Sequence, residues 1–312
     1  MAPETSEQRM KLFFAFAAVY LVWGSTYLGI RYAIETLPPF LMAGTRFVVA
    51  GLVLTTWARL RGADWPTGAQ WRTALVVGLG LLLGGNGGVV WAEQRVPSSL
   101  AALIVAAVPL STVLLDWLRP GGTRPTGTTL LGLAIGLFGV AVLVNPGAHD
   151  AARIDPWGAL ALLGATVSWA AGSIYSRRAP PGSVAPSPLM GSGAYMLMGG
   201  LGLLVASTIL GEPGRLQLAS VSLRSLLALL YLIVFGSLVG FTAYTWLLRN
   251  TTSAQATTYA YVNPVVAILI GWAIGGEVLT LRTGVAAAII LSGVITITTL
   301  PHLRAWLVNR GN

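Results

Sequence analysis

The sequence contains no cysteine and only two histidines. That removes disulfides, thiol chemistry and cysteine-ligated metal sites. Charge is the second shortage: 9% of the 312 residues are charged, against about a quarter in an ordinary soluble domain. So few charges cannot cover a water-facing surface. The 19 basic residues against 10 acidic ones stand singly or in pairs between apolar runs, without the basic patch or stripe that nucleic acid binding needs. Neither H-E-x-x-H, Gly-x-Ser-x-Gly nor a Walker sequence occurs, so the usual signatures of a zinc hydrolase, a serine hydrolase and an ATP-driven pump are missing. No enzyme activity, cofactor or metal is expected.

What fills the chain instead is apolar: 55% of residues are hydrophobic and the mean hydropathy is +0.74. Runs long enough to cross about 30 Å of hydrocarbon as a helix recur at residues 12–31, 39–59, 71–92, 98–118, 127–145, 156–176, 186–209, 225–248, 253–275 and 283–302. Turn formers such as Pro38-Pro39, Pro97, Pro120-Gly121-Gly122, Pro180-Pro181-Gly182 and Glu212-Pro213-Gly214 fall between them. Met1 to Lys11 is short and polar and lacks a cleavage pattern, so the first run is expected to stay as a span. Of the nineteen basic residues, Arg31, Arg95, Arg153, Arg215, Arg224 and Arg282 fall in one set of loops, Arg46 within a span, and the other twelve in the opposite set. By the positive-inside rule both termini are expected in the cytoplasm.

The chain repeats itself weakly. Trp23-Gly24-Ser25-Thr26-Tyr27 in the first span returns as Ala171-Gly172-Ser173-Ile174-Tyr175, and Leu41-Met42 as Leu189-Met190. Ser98, Pro109 and Trp117 match Ser253, Pro264 and Trp272, and Gly139-Val140 matches Gly293-Val294. Five spans per copy is an odd number, which inverts the second copy in the membrane. The expected architecture is all-α, about ten transmembrane helices as two inverted five-helix repeats, residues 1–148 and 149–312. Inverted repeats of this kind place a substrate site near the bilayer midplane between the halves.

Several residues could make such a site. Arg46 lies inside the second span, where a bare guanidinium is costly, so it is expected to face water, anchor a carboxylate or phosphate, or pair with Glu93 or a carbonyl. Glu93 closes the third span and is the first candidate for proton coupling or an ion pair. Trp23, Tyr27, Asn86, Trp169, Tyr175, Tyr244 and Asn263 supply aromatic faces and neutral hydrogen-bonding groups, a lining suited to a solute with an apolar body and sparse polar ends. Asn86, between Gly84-Gly85 and Gly87-Gly88, is expected to mark local unwinding. Pro109 and Pro264 are expected to kink the fourth and ninth spans and to act as hinges.

The order of these elements along ten spans, from Trp-Gly-Ser-Thr-Tyr and Arg46 through Ser98 to Pro109, Asn263-Pro264, Gly276-Glu277 and Gly293-Val294, resembles the EamA-type branch of the drug/metabolite transporter superfamily. The resemblance covers nearly the whole chain and implies a five-plus-five inverted repeat, a cavity lined by spans one, three, four, six, eight and nine, and export of small metabolites or drugs. One departure is visible: Glu277 follows the ninth span, whereas Pro120-Gly121-Gly122 stands at the related place after the fourth. The expectation is a secondary transporter of the inner cell membrane exporting amino acids or similar amphipathic solutes by alternating access. Its expected partners are a small-molecule substrate and the lipid bilayer, with a monomer as the working assumption. A multidrug or cationic compound exporter, or a passive translocator of lipid or other amphiphiles, stays open as an alternative.

Overall fold

The computed structural model describes residues 6–122, 124–144, 155–251 and 259–298. Seven helices there are long and apolar enough to cross a membrane: α1 Glu7–Ala33, α2 Pro39–Leu60, α3 Gly68–Ala92, α4 Ser98–Leu118, α6 Pro156–Arg178, α7 Pro188–Ile209 and α8 Leu223–Tyr244. Three further apolar helices, α5 Gly127–Val144, α9 Tyr259–Ala273 and α10 Leu281–Thr298, complete ten. No strand occurs among the described residues. This is what hydrocarbon demands, since a helix satisfies its own backbone where water is absent. The boundary expected at residues 148 and 149 lies outside the described residues.

Helix starts follow local chemistry. Pro39, Pro156 and Pro188 occupy first-turn positions, where a missing N–H costs nothing. Side chains of Asp155 and Ser187 accept from free N–H groups at two of these starts, and those of Thr67 and Ser222 do so at the starts of α3 and α8. The first helix begins earlier than its apolar run at Leu12, because a polar turn precedes it, braced by a Glu7–Lys11 contact of 2.6 Å.

Four glycines set how closely the halves meet. A Cβ at Gly51 would stand 2.7 Å from the Leu197 nitrogen, and one at Gly193 2.9 Å from that of Thr55. Thus α2 and α7, the second helices of the two halves, pack backbone to backbone. The same holds for α5 and α10, where a Cβ at Gly293 would reach 2.5 Å from the Gly136 nitrogen. These two pairs flank the remaining helices: α1 packs on α4, α8 and α9, while α6 packs on α3 and α4.

Three helices depart from regular α geometry. In α3 the segment Leu79–Asn86 is a π-helix, and in α8 the segment Leu232–Val239 is another. They stand at related places in the two halves. Asn86 therefore ends a widened turn and not an unwound one, which corrects the expectation. The chain keeps a hydrogen-bonded helix because full unwinding would strand polar groups at depth. A third π segment, Ala18–Val22, lies in α1 just before Trp23. As expected, α4 breaks: Ala106 and Ala107 leave the helix, and Pro109 sits in the first turn of the next segment. Its ring would collide with the carbonyl four residues back. Pro264 lies inside α9 without interrupting it.

Candidate functional site

A π-helix leaves backbone groups out of the regular ladder, and side chains from neighbouring helices use them here. The Trp23 indole on α1 donates to the Gly236 carbonyl in the α8 π segment at 3.1 Å. Ser168 on α6 donates to the Gly80 carbonyl in the α3 π segment at 2.9 Å. In each case the first helix of one half reaches the third helix of the other. Such segments often sit at functional positions.

Around Trp23 the rings gather. Its centroid lies 5.4 Å from that of Phe241, 5.2 Å from Tyr244 and 5.0 Å from Tyr259, and Tyr244 meets Tyr259 edge to face at 5.5 Å. These are favourable tilted and edge contacts. Asn263 is buried beside them, with its amide nitrogen turned toward the carbonyl oxygens of Tyr20 at 3.3 Å and Tyr259 at 3.2 Å. The structure thus brings Trp23, Tyr244 and Asn263 together where α1, α8 and α9 meet.

A second group lies between α3 and α6. A Cβ at Gly85 would stand 2.9 Å from the Trp169 ring, and Asn86 next to it keeps a buried side-chain oxygen without a partner. Tyr175, one helical turn and more beyond Trp169, is 40% exposed and stands apart from both groups.

Arg46 and Glu93 form a third. Arg46 is 4% exposed; its Nε donates to the Ser237 hydroxyl at 3.0 Å, its guanidinium lies 4.6 Å from the Phe47 ring, and Nη1 has no partner. Glu93 is 5% exposed and neither carboxylate oxygen has a hydrogen-bond partner. Tyr27 and Arg46 are both near enough to Glu93 for its charge to act on them. Yet no ion pair joins Arg46 to Glu93, so the direct pairing that the sequence left open does not form. The partner Arg46 does hold, Ser237, carries no signal in the sequence, because contact across 191 positions has no local pattern.

Sequence reasoning also missed what Glu277 does. Its carboxylate accepts from the Ser98 nitrogen at 2.8 Å, the Ser98 hydroxyl at 2.7 Å and the Ser99 nitrogen at 3.0 Å, and meets Arg31 at 3.0 Å. An acid following α9 thereby caps the start of α4, where the helix dipole favours negative charge. Burial pushes the Glu277 carboxyl up, but the hydrogen bonds from Ser99 and Ser98 outweigh it and hold the carboxyl below the usual carboxylate range. Glu212 also caps a helix of the other half: it follows α7 and accepts from the nitrogens of Phe40 at 3.2 Å and Leu41 at 2.8 Å, at the start of α2. The signal available was position, since each acid comes just after the C-terminal end of a span.

Comparison with known proteins fits this architecture. The EamA-like transporter family matches twice, over residues 10–145 and 156–299. The inner membrane transporter YedA of Escherichia coli strain K12 is 41% identical over 297 residues, 95% of this chain and 93% of its own. A probable amino-acid metabolite efflux pump of the same strain is 26% identical, covering 88% of this chain and 90% of its own. A solved protein structure superposes with a TM-score of 0.61 at 21% identity, over 94% of this chain and 98% of the other, a likeness of fold. The chain is a multi-pass membrane transporter and not an enzyme, and it belongs to the EamA-like transporter family.

Proposed function

We propose that this protein is a secondary-active exporter of the inner membrane that moves amino acids or similar amphipathic solutes by alternating access, with both termini in the cytoplasm. The observation that carries the reading is the ring cluster of Trp23, Tyr244 and Tyr259 beside Asn263, held by a hydrogen bond into the α8 π segment. Aromatic walls with sparse polar groups suit a solute of apolar body and polar ends. The relative that is named as a probable amino-acid metabolite efflux pump supports the choice of solute. The break before Pro109 and the proline within α9 supply bending points for α4 and α9, and the basic-residue bias supports the orientation.

Counterflow in proteoliposomes tests it. Vesicles preloaded with a pool of unlabelled amino acids are expected to accumulate labelled amino acid saturably, and Trp23→Ala to abolish the exchange. Exchange that never saturates would count against a carrier. A second reading rests on a groove of about 390 Å³ between α1, α8 and α9, walled by Leu28, Leu227 and Ile270, with Arg224 among its lining residues. That shape suits an amphiphile, and movement of fluorescent phospholipid between leaflets at the rate of the purified chain would favour it.

A further inference from the structure

Four acidic or basic side chains are buried among the described residues: Arg46, Glu93, Glu212 and Glu277. Glu212 and Glu277 are engaged by backbone nitrogens at helix starts. Arg46 and Glu93 are not comparably engaged. The guanidinium has one bond, from Nε, and leaves Nη1 empty; the carboxylate has no bond at all. Leaving a charge buried and unpaired costs several kcal/mol. Two opposite charges that lie within electrostatic reach would ordinarily remove that cost by closing on each other.

Arg46 is held from several sides. Ser237 pins Nε from the α8 π segment, Phe47 lies beneath the guanidinium, and the group passes over Gly236, where a Cβ would stand 3.0 Å from Nη2. Glu93 follows the end of α3, where its own nitrogen donates to the Val89 carbonyl. Arg31, the other cation acting on Glu93, is bonded to Glu277.

We propose that Arg46 and Glu93 are the two arms of a zwitterion site: Arg46 Nη1 donates to the carboxylate of a free amino acid, and Glu93 accepts from its ammonium group. This rests on the carrier reading above and narrows its substrate class to solutes bearing both charges on one end. A solute with only one of the charges leaves the other arm buried and empty. Gly236, next to Ser237, accepts from Trp23, so an aromatic face stands beside the anion-binding arm for the apolar side chain.

The test uses the full chain in proteoliposomes, with labelled L-phenylalanine as probe and two competitors, 3-phenylpropionate, which lacks the amine, and phenethylamine, which lacks the carboxylate. Each is expected to compete about 10- to 100-fold less well than phenylalanine, the range for losing one hydrogen bond to a charged group. Glu93→Gln is expected to lose most of the discrimination against 3-phenylpropionate while keeping that against phenethylamine. Arg46→Gln is expected to do the reverse, with Arg46→Lys restoring part of it. If both variants weaken all three ligands alike, the pair is structural, filled by water, and the proposal fails. If labelled tetraphenylphosphonium exchanges saturably and phenylalanine does not, the zwitterion site fails while the carrier stands. Saturable exchange of neither probe overturns both.

Discussion

The two ends of this molecule are fastened in different ways. At the end bearing Glu277, buried carboxylates from one half cap helices of the other: Glu277 holds α4 and Glu212 holds α2. The Tyr32 hydroxyl adds a bond to the Ile274 carbonyl at 3.0 Å, and Ser225 one to the Tyr32 carbonyl at 2.8 Å. At the end bearing Arg178 the fastenings are neutral or exposed. There α3 is capped by its own Thr67 and Gln70, and α7 by its own Ser187. Across that end, Asp116 meets Arg178 at 3.6 Å on a half-exposed side chain, and Gln70 reaches the Gly182 carbonyl at 3.1 Å. Buried, multiply bonded charge resists opening, whereas exposed ion pairs contribute little. The difference teaches that inverted repeats can share a fold and still differ in how tightly each end is shut.

The sharpest way to break this comparison is Glu277→Ala. It strands the Ser98 and Ser99 nitrogens and leaves Arg31 without its partner, so a loss of about 3 kcal/mol or more is expected, read as a lower melting temperature in detergent. A wild-type melting curve would erase the contrast between the ends. Acid should act on the same group. Because the folded Glu277 carboxyl is held low, its contribution is complete above the value of about 4.3 for a free glutamate and is lost only as pH falls through the lower folded value. Melting temperature should therefore depend less on acid in Glu277→Gln than in the natural chain. Glu212→Ala removes one helix cap and should cost about 1–2 kcal/mol. At the other end Ser187→Ala should cost about 1 kcal/mol or less, and Asp116→Asn about 0.5 kcal/mol or less. A larger effect at Asp116 than at Glu212 would invert the ranking.

Which end faces the cytoplasm can be fixed with two cysteines on this cysteine-free background. A thiol at position 214, where a Cβ meets nothing within 4 Å, is expected to react with an impermeant reagent from outside. One at position 178 is expected to be protected until the membrane is opened.

The spans were legible because hydrocarbon admits only long apolar helices, and proline and glycine mark their ends. The break in α4 was legible too, since Pro109 cannot accept a regular turn before it. Arg46 and Glu93 stood out by charge alone, in a chain that has little. What stayed hidden depends on contacts between distant segments. Glu277 reaches Ser98 across 179 positions, and Ser237 reaches Arg46 across 191. The π segments were hidden for another reason: Leu79–Asn86 and Leu232–Val239 have the composition of any apolar helix, and their extra width leaves no trace in hydropathy.

That extra width has a genetic equivalent. A π turn accommodates about one residue more than the α turn it replaces, so each segment behaves as an insertion absorbed without a loop. Deleting one residue from Leu232–Val239 is expected to return the stretch to α geometry while the parts of α8 before and after it keep their relative faces. The chain would remain a ten-helix membrane protein. What the deletion removes is the widened turn that offers the Gly236 carbonyl to Trp23, so the one extra residue of this helix and the geometry of the site are a single inherited trait.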